Sequence, residues 1–304
     1  MRSALKQPRL NIRPSPRSSA LIAVILWGVS FVASKAALRE ISPVTLLFTR
    51  FAIGTLILTV MVHLRGSPLL PPRDTWPVLA LMGFVGVFAH HMLQASGLTM
   101  TTAVHTGWLI GVIPIWSAVL SAVLLKERFG AMKVAGLVGG FAGALLVITR
   151  GQFGREILQL PGTRGDFLIL LSTFTWAIYS ILGHDTLKRL GSMRATAGAM
   201  LFGWLMLAPF FVANRGWQQW SNLSPTGWGA ILFLGIGCSA VGYLFWYGAL
   251  ERIEVSRVAA FLYIEPLVTL LAAVILLNEP VTLTTIIGGL VVLLSVFVIQ
   301  HAPP

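Results

Sequence analysis

The run AVHTGWLIGVIPIWSAVLSAVLLKERFGAMKVAGLVGG, residues 103–140, occurs twice in outline. Its counterpart is VSRVAAFLYIEPLVTLLAAVILLNEPVTLTTIIGGLVV, residues 255–292. In the first copy Pro114 stands in an apolar run thirteen residues before Glu127; in the second, Pro266 stands thirteen residues before Glu279. A shift of 152 positions relates the two pairs and also carries Gly83 onto Gly235, Leu98 onto Leu250 and Gly136 onto Gly288. A shift of 149 carries Trp27 onto Trp176 and Gly54 onto Gly203. Two copies of one unit, differing in loop length, account for nearly the whole chain. Units of this size, each with several hydrophobic spans, mark duplicated membrane folds.

Composition agrees. The 304 residues are 56% hydrophobic and only 11% charged, whereas a soluble domain carries about a quarter charged residues. An all-α polytopic membrane protein is expected. Lys and Arg outnumber Asp and Glu by 22 to 10, and the excess is expected at cytoplasmic span ends rather than on a nucleic-acid face. The lone Cys238 lies in an apolar run and supports neither a disulfide nor a zinc site. Residues 1–19 hold five basic residues, no acid and several Pro and Ser. Pro8, Pro14 and Pro16 interrupt any amphipathic helix there, so a cytoplasmic tail is expected rather than a transit peptide.

A span needs about 20 mostly apolar residues. Ten candidates follow in order: 20–38, 44–64, 76–98, 101–125, 131–149, 165–184, 195–213, 226–250, 255–277 and 281–300. The chain thus divides into the tail 1–19, a first five-helix unit 20–149 and a second 165–300. With the N-terminus inside, the inner segments carry fifteen basic residues and the outer ones five, which supports a cytoplasmic N- and C-terminus. Five spans per unit is odd, so the two copies enter the membrane in opposite directions. Opposed repeats can open to either side by exchanging conformations.

With Trp27-Gly28 in the first span, Arg50-Phe51 early in the second, and the pairs Pro114…Glu127 and Glu265-Pro266…Glu279-Pro280, the chain resembles the drug/metabolite transporter superfamily, EamA type, over about residues 20–300. The resemblance implies ten helices as two inverted five-helix repeats and a central cavity between them. It also implies export of amino acids or related metabolites across a bacterial inner membrane. The histidine pair His90-His91 departs from many relatives.

Polar groups inside spans cost a few kcal/mol and normally face a cavity or a partner. Glu265, mid-span and before Pro266, is either a proton-titrating or amine-binding carboxylate, or a structural acid paired with a base or helix end. Lys35 lies near the outer surface, where its long stem can snorkel; Arg50 is deeper and suits a carboxylate, a solute's or that of Glu265. His90 and His91 fall on different helix faces, so at most one points cleanly at a cavity. His91 and Gln94 share one stripe, and His105 and Trp108 another before Pro114. Trp27 and Ser30 are matched by Trp176 and Tyr179 in the sixth span; Tyr243 and Trp246 recur in the eighth and Tyr263 in the ninth. A cavity lined by such rings suits small amphipathic or aromatic solutes. Pro114 and Pro266 are the expected helix kinks. The glycines, including Gly83/Gly86 and Gly139/Gly143, read as close helix packing rather than a cofactor loop. No motif for a cofactor, metal or phosphate is present.

The expected function is secondary transport of a small organic solute, with protons as a candidate coupling ion and the bilayer as the other partner. The alternatives are a multidrug exporter of the same fold and a membrane-embedded hydrolase or acyl transferase built on His105 or His91.

Overall fold

Ser42-Pro43 and Ser224-Pro225 start helices for the same reason. Each serine sits in extended backbone and its hydroxyl accepts the amide three residues on, while proline occupies the first turn, where its missing N–H costs nothing. These caps open α2 (Pro43–Leu64) and α9 (Pro225–Ala249). The computed structural model describes residues 15–68, 70–125, 130–152, 161–250, 252 and 260–301. The tail 1–14, Glu127 and the side chains of Tyr263 and His184 lie outside the described residues.

The remaining helices are α1 (Pro16–Ala37), α3 (Arg73–Met100), α4 (Ala103–Ile110), α5 (Ile113–Leu125), α6 (Ala131–Thr149), α7 (Pro161–Leu190), α8 (Ser192–Ala213), α10 (Glu265–Leu277) and α11 (Leu283–His301). Among the described residues, seven helical stretches are long and apolar enough to cross a membrane alone. The other three spans are α4 with α5, the turn Ala260–Ile264 with α10, and α11. No strand occurs among the described residues. Outward-facing Leu56, Leu271 and Leu294 are each more than 60% exposed, as a lipid-contacting surface requires.

The contacts repeat under exchange of the two units. Helix α1 packs on α9, and its mate α7 packs on α3; α1 packs on α10, and α7 on α5; α2 pairs with α8, and α6 with α11. Because lipid is as apolar as leucine, such contacts depend on close backbone approach. A Cβ on Gly54 would stand 2.7 Å from Ser239 Cβ, and one on Gly203 2.4 Å from Val87 Cβ. These are equivalent places: Gly54 and Gly203 differ by 149 positions, Val87 and Ser239 by 152. Gly143 and Gly288 bring α6 and α11 together, a Cβ on the former meeting the carbonyl of the latter at 2.7 Å.

Two irregularities also repeat. Helix α3 widens to π geometry over Gly83–Ala89, and α9 over Phe233–Gly242. The fourth span is interrupted so that α5 begins at Ile113, and the ninth so that α10 begins at Glu265, 152 positions later. Pro114 and Pro266 therefore sit in the first turn of new half-helices rather than inside bent continuous ones. A proline there sacrifices no backbone hydrogen bond and gives no clash with a preceding turn.

Candidate functional site

Both interruptions open onto one cavity of about 60 Å³ at the junction of the two units. Ile110 and Leu262 line it, as do Ile113 and Glu265, and His91 and Tyr243. Each pair is related by the 152-position shift, and Trp27 and Trp176, also in the wall, by the 149-position shift. The π segments matter here: they end at Ala89 and Gly242, directly before His90-His91 and Tyr243, and set where those side chains emerge.

The rings form a continuous wall. Trp27 stands 5.6 Å from Tyr243 and 5.3 Å from Trp246, centroid to centroid, and meets Trp176 edge-on at 6.4 Å. Trp27 Nε1 donates to the Cys238 carbonyl at 3.3 Å, and Ser30 Oγ to the Trp27 carbonyl at 2.6 Å. Tyr179 lies behind Trp176, with its hydroxyl 3.5 Å from that of Tyr247.

Three buried polar side chains face this space with capacity to spare. Arg50 donates from Nε to Ser239 Oγ at 3.3 Å and lies 4.9 Å from the Phe51 ring centre, but no carboxylate pairs with it among the described residues. Glu265 is buried, and its carboxylate has neither an ion pair nor a hydrogen bond among them. Both ring nitrogens of His91 are buried without a partner. His90 also lines the cavity, contrary to the expectation that only one imidazole would; the two rings meet edge to face at 4.6 Å, which brings both to the same wall. His90 is spoken for: Nδ1 donates to the Ser172 carbonyl at 2.8 Å, and Gln94 approaches Nε2 at 3.4 Å.

A second cavity, of about 220 Å³, runs from the end of the bundle bearing Ser19, Arg65 and Arg252 up to Tyr243 and Tyr247. Tyr243 borders both cavities.

The opposite end of the bundle is laced shut by polar groups from both units. Lys35 Nζ donates to the carbonyls of Leu98, at 2.8 Å, and Thr101. The Glu279 carboxylate accepts the backbone amides of Ala103 and Val104, both at 3.0 Å, and so caps α4 from the other repeat. Asp166 accepts from the Thr101 hydroxyl and from His105 Nδ1 at 2.9 Å, while His105 Nε2 accepts from Thr285 at 3.4 Å. Glu40 accepts both the hydroxyl and the amide of Ser224 at 2.7 Å, and these two bonds hold its carboxyl below the ordinary 4.5.

The residues singled out from sequence thus separate. Trp27, Ser30, Arg50, His91, Gln94, Trp176, Tyr243 and Glu265 line one cavity; Trp246 and Tyr179 back its rings. Lys35 and His105 belong to the closed end. Trp108 is buried against α11, its ring filling the space that Gly289 leaves. The hydroxyl–imidazole–carboxylate row of Thr285, His105 and Asp166 has the order of a hydrolytic triad, yet all three are buried and neither cavity reaches them. It ties helices together. Among the described residues no group of three metal-ligating side chains occurs.

Asp166, Glu279 and Glu40 are the residues that sequence reasoning passed over. Asp166 carries a weaker signal than Glu265, an acid at the edge of the span 165–184 rather than at its middle. Glu279 stands out in the sequence only as one end of the repeated Pro…Glu pair.

The sequence matches the EamA-like transporter family over residues 18–149 and 163–300. It is 33% identical to an uncharacterized transporter of Archaeoglobus fulgidus, covering 91% of this chain and 96% of that one. It is 30% identical to the uncharacterized transporter YvbV of Bacillus subtilis over 94% and 92% of the two chains. A probable terminal-alkyne amino-acid exporter of Streptantibioticus cattleyicolor is 25% identical over 92% of each. A solved crystal structure superposes with a TM-score of 0.65 at 21% identity, covering 96% of this chain and all of that one, which establishes likeness of fold.

Proposed function

The chain belongs to the EamA-like transporter family, and from that premise we propose that it is a secondary transporter exporting amino acids or related small organic metabolites across a bacterial inner membrane. The two five-helix units rock against one another about the aromatic cavity and expose it to each side in turn. One observation carries this reading: a cleft from the Arg65 end runs up to Tyr243, which also walls the cavity on which the repeats converge, while hydrogen bonds that cross between repeats lace the Lys35 end. A molecule open at one end and latched at the other is one half of an alternating cycle. The excess of basic residues supports a cytoplasmic Arg65 end, with both termini there. The amino-acid assignment draws on the 25%-identical exporter and on a cavity that combines rings with a few polar tips. Protons are the candidate coupling ion, through Glu265 or His91.

The test is uptake of a labelled amino-acid panel into liposomes containing the purified protein, with and without an imposed pH gradient. Saturable uptake of one or more members supports the reading, and acceleration by the gradient supports proton coupling. A folded protein that moves none of them refutes the substrate assignment.

A further inference from the structure

The cavity wall is symmetric in its apolar residues and asymmetric in its charges. Ile110 answers Leu262 across the repeat, and Trp27 answers Trp176. The two charged groups have no charged mate: the position equivalent to Arg50 is Ala199, and that equivalent to Glu265 is Ile113. One unit therefore supplies a cation and the other an anion to a single cavity.

Neither group has an oppositely charged partner among the described residues. An unpaired charge in a buried site is costly, and the usual remedy is an ion pair. Arg50 and Glu265 face the same cavity without forming one. The guanidinium retains donors beyond its single bond to Ser239, in the forked geometry that matches a carboxylate. The carboxylate of Glu265 has no donor among the described residues and can accept from an ammonium group. The unpartnered nitrogens of His91 mark further unfilled hydrogen-bonding capacity in this wall.

Resting on the transport reading above, we propose that this cavity is the headgroup end of a zwitterion site: Arg50 receives the carboxylate of an α-amino acid, Glu265 receives its ammonium group, and the side chain lies along the Trp27, Trp176 and Tyr243 rings toward the larger cleft that Tyr243 also borders. A symmetric apolar wall with opposite charges at its two sides orients a dipolar solute in one way only. It also disfavours a solute bearing either charge alone, which leaves the other protein charge buried and unmatched.

The experiment is equilibrium binding to purified protein in nanodiscs, read by tryptophan fluorescence and confirmed by calorimetry. Three ligands sharing one side chain are compared: phenylalanine, 3-phenylpropionate, which lacks the ammonium, and phenethylamine, which lacks the carboxylate. On the unaltered protein each half-ligand should bind about 10- to 100-fold more weakly than phenylalanine, the effect of losing one hydrogen-bonded charge. In Glu265→Gln, phenylalanine should weaken and the advantage over 3-phenylpropionate should vanish while that over phenethylamine persists. Arg50→Gln should do the reverse, and Arg50→Lys, which retains charge, should recover part of the loss. Half-ligands that bind as well as phenylalanine overturn the proposal, as does a folded protein that binds none of the three. A variant that weakens all three ligands equally also overturns the role given to that residue. Binding is separable from translocation: selective phenylalanine binding without uptake leaves the site standing and removes the transport reading. Uptake of a lone amine or acid in preference to the zwitterion does the opposite.

Discussion

Replacing Glu279 should unlatch the sealed end. Its carboxylate accepts two backbone amides, from Ala103 and Val104, each at 3.0 Å, and these amides are the open donors at the start of α4. Glu279 is half-buried, so water competes for the freed groups, and each bond contributes about 1 kcal/mol. Glu279→Ala loses both and should cost the sealed arrangement about 2 kcal/mol, equivalent to roughly a 30-fold rise in the ratio of open to sealed molecules. Glu279→Gln keeps one acceptor oxygen and should lose about half as much free energy. The reporter is a thiol at Ile110, a cavity-lining residue only 6% exposed, in a Cys238→Ala background that removes the lone native cysteine. A membrane-impermeant maleimide applied from the Lys35 side should label Ile110→Cys much faster in Glu279→Ala than in the parent, with Glu279→Gln between them. Unchanged labelling from that side in Glu279→Ala, with normal labelling from the Arg65 side, refutes the assignment of Glu279 as a latch.

Asp166→Asn should lower thermal stability by about 2–3 kcal/mol, because it removes the charged acceptor of a fully buried carboxylate–imidazole pair. Thermal melts of Asp166→Asn, His105→Asn and the double variant should show strong non-additivity; additive losses would mean that the pair does not act as a unit. Gly203→Val places side-chain atoms where even a Cβ meets Val87 Cβ at 2.4 Å and the Gly83 carbonyl at 2.7 Å, and should destabilise by about 1–3 kcal/mol or more, measured as loss of monodisperse protein on heating. Gly229→Ala, where nothing lies within 4 Å, serves as the neutral control. The Glu40 contact gives a pH dependence: the folded carboxyl titrates below the ordinary 4.5 because of Ser224. Its stabilisation is thus fully present above pH 4.5 and is lost as pH falls through the depressed value. The melting-temperature gap between the native protein and Glu40→Gln should be constant above that pH and close below it; a gap independent of pH would remove the ion from the explanation.

How far the sequence could be read depends on which physical constraint wrote each feature. Spans are legible because the bilayer demands about 20 apolar residues wherever the chain crosses. Serine–proline starts are legible because capping is local, as Ser42-Pro43 and Ser224-Pro225 illustrate. The duplication, too, could be read: a shift of 149 matches Trp27 with Trp176, and both rings stand in the wall of one cavity. What could not be read is where a side chain's partner lies when that partner is a backbone amide in the other repeat. Glu279 and Ala103 are 176 positions apart, and nothing in the composition of either segment names the other. The same limit explains His105. Its helical stripe with Trp108 was correctly periodic, but periodicity fixes a face and leaves open whether that face meets a cavity or a neighbour. Here the imidazole meets Asp166, and the Trp108 ring meets a glycine of α11.

The two π segments change where the residues that follow them point. A π turn takes in an extra residue and advances the phase of everything after it. Wheel positions counted from Trp76 are therefore displaced by the time His90 is reached, and those counted from Trp228 are displaced by Tyr243. The displacement is the same in both units because the segments occupy equivalent positions. It consequently brings His91 and its mate Tyr243 to one cavity rather than scattering them. Gly83 and Gly235 lie in these segments with their Cβ positions occupied by neighbouring helices. A side chain at either would force α3 from α8, or α9 from α2. The glycines that read as packing and the residues that line the cavity therefore act together: close approach fixes the irregular turn, and the irregular turn sets how the imidazole and the phenol meet the cavity.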